Sequence, residues 1–427
     1  MLRTAVAISL APTLCAQTYI VDASNGPGTH FTDLPAAVSS VPDGASLRVR
    51  PGQYSQFVIT AKSLSILGDS EASVRINAQS GSLITVRALA PAQQVVIRDV
   101  GSVQTYGPGA QIVVEDCAGA VTFDTCTIAH SVSFFGYTAQ PALQVRRSTN
   151  VHLRRIHGAS GHPDASVADA CVEFDSCQFA GRDQTVAGAE GYAGLAVSHC
   201  RVSLRNCTIR GGAGGSDLYT SFGPGGPGLD AVDSTLDLAP GNSLTGGSGG
   251  IDPAGFGCYT IMASGGPGLR MRGSQARHAN ATIRGGDGPC AVCLTECTVQ
   301  GPALNLTASS LAAVPSAPDL QYLGDVRQGG YVDLQLTAAP NELALLVLGF
   351  RPVCVSLPTI VDFGGILVSP ELPFGPFVTD VHGAVSYRLA LPPDLVLDRA
   401  VFAQYVTFPG AVLPGQGSNS VMFEARS

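Results

Sequence analysis

The chain has 427 residues, of which 45% are hydrophobic and 13% charged, with 51 Gly and 28 Pro. That balance excludes intrinsic disorder, which needs low hydrophobicity and high charge, and points to many short buried strands separated by turns. A net charge of −8 without a basic cluster excludes a surface that follows a phosphate backbone, so no nucleic acid is expected as a partner.

The single lysine, Lys62, argues against Schiff-base or lysine-base chemistry. The absence of Trp removes the strongest stacking platform for sugars and leaves Tyr and Phe to serve. Residues 1–16 read as a signal peptide, with Arg3 at the start, an apolar run from Ala5 to Leu14 and a small residue, Ala16, at the end. Cys15 as a lipid-anchored residue is disfavoured, because Leu14 stands where a small residue is usual. No later stretch has the roughly 18 uncharged apolar residues of a membrane helix, so the expected location is secreted or cell-surface, with no transmembrane segment.

From Phe31 to Val41 the apolar residues at 31, 34, 38 and 41 share a helical face. Thr32 or Asp33 can cap this helix and Pro35 sits early in it, where a missing N–H costs nothing. A short helix here would cover the open end of a stack of strands, whose edge otherwise invites aggregation.

A pattern of apolar, variable, apolar, polar, polar, then Cys or aliphatic begins at 95, 121, 151, 172 and 202, separated by 26, 30, 21 and 30 residues. A later copy runs from Val292 to Cys297, and Ile112 to Cys117 is an extra copy, too close to the next to be a separate turn of the stack. Irregular repeats of this length signal a solenoid, and alternation within each copy signals strands. The fold expected is all-β: a right-handed parallel β-helix over 17–307 with a short N-terminal capping helix, a linker over 308–319 rich in Ala, Ser and Pro, and a β-sandwich over 320–427. In each bent strand the first, third and sixth residues point inward, the fourth points out and the fifth takes the corner. Cys126, Cys177, Cys207 and Cys297 then form an inward file of small buried hydrophobes.

The segment Phe31 to Gly68 contains Asp43-Gly44, Arg48-Val49-Arg50-Pro51-Gly52-Gln53-Tyr54 and Leu64-Ser65-Ile66-Leu67-Gly68. It resembles the opening of pectin-lyase-like β-helix proteins, above all the start of pectin methylesterases. Where that family has Gly-x-Tyr-x-Glu, this chain has Gly52-Gln53-Tyr54-Ser55-Gln56. The resemblance implies the fold rather than an activity, and the strand copies extend it to about residue 300. The C-terminal part, with Pro340 to Leu346, Gly375 to Asp380, Phe402 to Tyr405 and Ser418-Asn419, is similar to a domain found behind secreted bacterial repeat proteins. The superfamily's esterase motifs, an Asp-Phe-Ile-Phe-Gly segment and a Trp-containing one, are absent.

The outward fourth position reads Arg98, Asp124, Arg154, Asp175, Arg205. Stacked at about 4.8 Å, alternating charges attract, and a slip by one turn would set Arg against Arg. This reads as a structural ladder of exposed pairs, each contributing roughly 0–1 kcal/mol. The alternative is a lyase-like cleft with Arg as base and Asp around calcium, but calcium needs several clustered acids and the ladder dilutes them. A weaker candidate gathers Arg154, His157, His162, Asp164 and Asp169 for metal or acid–base work, at a spacing that matches no metal motif.

The glycine-rich stretches Gly211–Gly215, Gly225–Gly228, Gly246–Gly250 and Gly265–Gly268 read as enlarged turns leaving one corner. They miss the nonapeptide calcium repeat, with Ser216 and Ile251 at its Asp position, and their glycines are expected to serve tight or left-handed turns. Loss of Cys15 with the leader leaves 11 of 12 cysteines. Cys290–Cys293, or a link to Cys258, is open as a disulfide; Cys290, Cys293 and Cys297 lack the second pair a zinc site needs. No cofactor is expected, and calcium is unsupported.

Three functions stay open, since fold alone does not choose. The leading one is a secreted non-catalytic structural or binding protein with a polysaccharide or cell-surface partner. The alternative is a polysaccharide lyase or hydrolase acting along the coil. The third is a spacer that displays the glycine loops.

Overall fold

The computed structural model describes residues 17–427 apart from 78–80, 103–109, 129–140, 159–163, 185, 217–221, 251–262, 289–299, 315–317, 324–330, 351, 358–360, 369–371, 391–400, 412, 414, 419–420 and 424–427. The leader, His162, Cys258, Cys290, Cys293, Cys297 and the copy at Val292 lie outside the described residues.

The N-terminal part is a right-handed parallel β-helix of three sheets, here called front, back and short. Among the described residues the front sheet has 13 strands and runs from Thr18–Val21 to Ser310–Ala313; the back sheet has 9, from Phe57–Thr60 to Leu304–Thr307; the short sheet has 4, from Gln178–Ala180 to Thr282–Arg284. The register stacks Ile97, Phe123, Leu153, Phe174 and Leu204 one above another, each with no exposed surface. Ile112 to Glu115 is a back-sheet strand of the same turn, which is why it follows the front-sheet pattern so closely.

The corner residues explain the fifth position. Asp99, Thr125, Arg155, Ser176 and Asn206 all have φ between 49° and 55°. The left-handed conformation breaks each strand and turns the chain, and short polar side chains tolerate it best.

The helix Leu34–Ser40 closes the N-terminal end, burying Leu34, Ala37 and Val38. Asp33 caps it, accepting from the Leu34 N–H at 2.8 Å. Lys62 answers at the other end, its Nζ donating to the carbonyls of Val38 (2.8 Å) and Val41 (2.7 Å), where a cation is favoured by the helix dipole.

The coil runs further than 307. Leu236, Ala276 and Leu311 continue the file of Val202. Ser310–Ala313, read from composition as linker, is the last front-sheet rung, and the next strand begins at Asp319. Ala, Ser and small polar residues mark a linker and a thin terminal rung equally well.

Among the described residues the C-terminal part packs an outer sheet of 3 strands on an inner sheet of 7. Leu320, Val332, Leu334 and Leu336 meet Ala344, Leu346, Leu348, Ala403 and Tyr405 between them. The inner sheet's other face lies on the coil: Val347, Val368, Phe402 and Val406 cluster with Val96 of the front sheet, and the strand Pro352–Leu357 crosses Ala120–Ile128, Asn150–Gly158 and Cys171–Asp175. Val401–Phe408 is therefore buried almost throughout rather than alternating. Gln404 within it is satisfied, its Oε1 accepting from the Leu367 N–H at 2.8 Å and its Nε2 donating to the Ser418 carbonyl at 2.9 Å, whereas the buried Tyr405 hydroxyl lacks a hydrogen-bond partner.

A Ser176→Val variant, at an exposed corner with φ 55°, is expected to lose about 1–2 kcal/mol of stability. Ser176→Gly should stay within about 0.5 kcal/mol of wild type. Urea unfolding of both variants checks the pair.

Candidate functional site

Two files of front-sheet side chains point out of the coil. One is Val96, Thr122, His152, Glu173, Ser203 and Asp237; the other is Arg98, Asp124, Arg154, Asp175 and Arg205, each in register with the next. The order of the charge ladder is as the spacing predicts, but its environment is not. Asp124 is 1% exposed, and Arg154 and Arg205 are 4%. The inner sheet of the sandwich lies over them, so these are not solvated surface pairs. A buried charge must be paired and hydrogen-bonded or it is strongly destabilising.

Most of the pairing is visible. Asp124 is held by Arg155 from the next corner and lies 3.9 Å from Arg98. Arg154 Nη2 is 3.6 Å from Asp175 Oδ2. Arg205 turns to the sandwich, donating to Asp319 Oδ1 at 2.7 Å and the Pro318 carbonyl at 3.0 Å. His152 Nδ1 sits 2.7 Å from Glu173 Oε2, both buried, while His152 Nε2 and Thr122 Oγ1 lack a hydrogen-bond partner. Burial pushes the Asp175 carboxyl above its ordinary value, with Arg154 and Arg205 opposing and Glu173 adding to the rise.

The weaker polar candidate comes apart. Arg154 belongs to the ladder. His157 Nε2 lies 3.1 Å from Glu71 Oε1. Asp164 accepts from the Ala142 N–H and from Arg182. Asp169 is exposed beside His199, at 3.8 Å. The register sends each of these to a different neighbour, and no group of three His, Cys, Asp or Glu residues suited to a metal occurs among the described residues.

The inward Cys126, Cys177 and Cys207 are buried free thiols. Each Sγ donates to the carbonyl two residues before it, Asp124 (3.5 Å), Asp175 (3.4 Å) and Arg205 (3.1 Å), and so covers a corner carbonyl. Burial pushes Cys126 and Cys177 well above the ordinary thiol range, which makes them unreactive.

A matching device stands at the opposite corner, and sequence reading missed it. Cys117, Ser148, Cys200, Ser234, Ser274 and Ser309 each follow a back-sheet strand and bond the carbonyl two residues before. The signal was a small polar residue at a fixed offset, hidden by Cys and Ser alternating there. Cys171, outside both files, is disulfide-bonded.

The glycine-rich stretches form a backbone bundle rather than a set of turns. Outgoing segments 181–184, 211–215, 246–250 and 285–288 make one row, and returning segments 189–194, 223–228, 263–268 and 301–302 another. Gly211 and Gly214 donate to Thr245 and Ser248, and Gly246 and Gly249 donate to Arg284 and Asp287. The recurrence every third residue is the period of polyproline II, which Pro224, Pro227 and Pro267 also favour. Across the rows Gly212, Gly226, Gly247, Gly266, Gly286 and Gly301 each donate at 2.8 Å to the segment before. A Cβ on Gly247 would lie 1.9 Å from the Gly212 carbonyl oxygen, and one on Gly225 as close to that of Gly247. Neither has φ in the left-handed region, so the glycines answer to close backbone approach and not to turn conformation. Arg270 ties bundle to coil, gripping Asp230 at 2.7 Å and Glu190 at 2.6 Å.

Between the bundle and the short sheet is an open hollow of about 330 Å³ lined by Thr208, Ile209, Arg210, Thr245, Gly246 and Asp287.

No family model matches the sequence, and no curated protein matches it. Among solved structures, a pectin methylesterase from carrot is similar at 12% identity and a TM-score of 0.30, over 72% of this chain and 91% of its own.

Two outcomes are expected. Gly247→Ala should cost about 3 kcal/mol, as overpacking against backbone that has no slack, read by urea unfolding together with faster amide exchange over 246–249. Because the folded-state pKa of Asp175 is raised, its ionisation opposes folding, so its contribution is most favourable in acid and is lost as pH rises. Asp175→Asn should therefore gain stability relative to wild type between pH 4 and 7, measured by urea midpoints at the two pH values.

Proposed function

We propose that the chain is a secreted, non-catalytic structural or binding protein whose coil serves as a rigid support. The observation that carries this reading is the roof over the front sheet. A glycan lying along the coil would have to reach Asp124, His152, Arg154, Glu173 and Asp175, and the chain's own sandwich occupies that space. The disulfide at Cys171 fits an oxidising compartment. No helix among the described residues is long and apolar enough to cross a membrane.

What stays open to a partner is the other side. The hollow beside the glycine bundle presents the exposed Arg210 and Asp287 with Thr208 and Thr245, a cation and a carboxylate among hydroxyl groups, of which Arg210 suits the acid group of a glycan or another anionic cell-surface component and Asp287 its hydroxyls.

One observation favours the carbohydrate-active alternative: three carboxylates, Asp124 on one rung and Glu173 and Asp175 two rungs on, flank the rung of His152 and Arg154. Incubation of the protein with acidic polysaccharides, with and without calcium, separates the readings. The expected result is no unsaturated uronide ends and no new reducing ends, with any binding weakened about tenfold by Arg210→Glu. Product that accumulates with wild type and disappears in Glu173→Gln would replace this reading by the enzymatic one.

A further inference from the structure

The two ends of the coil are finished differently. At the N-terminal end the helix Leu34–Ser40 packs over the first strands. At the other end, among the described residues, all three sheets stop on one rung. Thr282–Arg284, Leu304–Thr307 and Ser310–Ala313 are each the last described strand of their sheet, and among the described residues each pairs on one side only.

The side chains show that this end is open. Leu304 and Leu306 are both 39% exposed, whereas Leu269 and Met271, one rung earlier in the same files, have no exposed surface.

Proteins normally guard such an edge with lysine, proline or inward charge. From Gly301 to Pro318 this chain has no charged residue, and neither of the two terminal strands there contains proline.

We propose that this end docks against the same end of a second copy of the chain, joining two coils tail to tail. The shape of the surface selects the occupant. A partner must offer three strand edges around an apolar centre of the same cross-section; a single extended peptide would satisfy one edge and leave two. The same end of another copy, turned about a two-fold axis, offers all three at once. Charge points the same way. With a net charge of −8 two copies repel over most of their surface, and at this end the stretch Gly301 to Pro318 is uncharged while the third strand carries the cation Arg284, so no carboxylate on the three terminal strands meets its like. The helix blocks a head-to-tail contact, so the assembly is isologous and closes at two copies.

Sedimentation velocity on the purified full-length mature chain tests this over a range of concentration. The expected species has twice the monomer mass. Leu306→Arg, at a position already 39% exposed, should keep the circular dichroism and thermal transition of wild type and weaken association at least tenfold. Ala313→Pro, which removes an N–H from the free side of the last strand at an exposed position, should do likewise. A wild type that stays monomeric up to about 100 µM, below which a specific interface of standard size normally forms, would overturn the proposal. So would a dimer unchanged in both variants, or growth beyond two copies.

Discussion

Each rung of the coil is bonded to the next at about 4.8 Å, and that spacing makes every side chain's nearest neighbour the residue at the same position one turn away. The chain must therefore choose residues by file. Inward files are apolar, as in Ile97, Phe123, Leu153, Phe174 and Leu204. Corner files accept left-handed backbone, as in Asp99, Thr125, Arg155, Ser176 and Asn206. The carbonyls exposed at the corners are covered from within by Cys126, Cys177 and Cys207 on one side and by a Ser and Cys file on the other. The glycine bundle follows the same rule without side chains: where backbones approach as closely as Gly247 and Gly212 do, only glycine fits the file.

The outward charge ladder is where file logic meets long-range packing. Alternating Arg and Asp suit a solvated face and also suit burial, because a charge taken out of water needs its opposite beside it. The sandwich uses this. Val347, Phe402 and Val406 supply apolar contact at Val96, while Asp319 and the Pro318 carbonyl extend the ladder through Arg205 into the second part of the chain. The ladder fixes rung register and also seats the roof.

This explains what could be read from sequence. Local regularities could: the apolar pairs of each copy, the polar corner, the capping helix with Asp33, and the relative order of Arg98 to Arg205. Rungs at Leu236, Ala276 and Leu311 were missed because the pattern breaks there, as where Leu236-Asp237-Leu238 is followed by Ala239-Pro240-Gly241 in place of two polar residues and Cys. Burial of the ladder was invisible, since it depends on residues such as Phe402 far along the chain. The glycines misled for a different reason. One residue type serves both left-handed turns and close backbone approach, and composition does not separate the two. The cluster of His157, Asp164 and Asp169 looked like a site because its members are close in sequence, whereas in a coil closeness in sequence says little about which rung a side chain faces.

The central claim is that the sandwich roofs the polar front face. Chemical modification of histidines by diethylpyrocarbonate, mapped by mass spectrometry on the intact folded protein, measures it directly. His199 is 62% exposed and His152 is 1% exposed, so His199 should be modified readily while His152 stays intact until the protein unfolds. Equal modification of His152 and His199 in the folded protein would mean that the front face is open to solvent and the roof is absent.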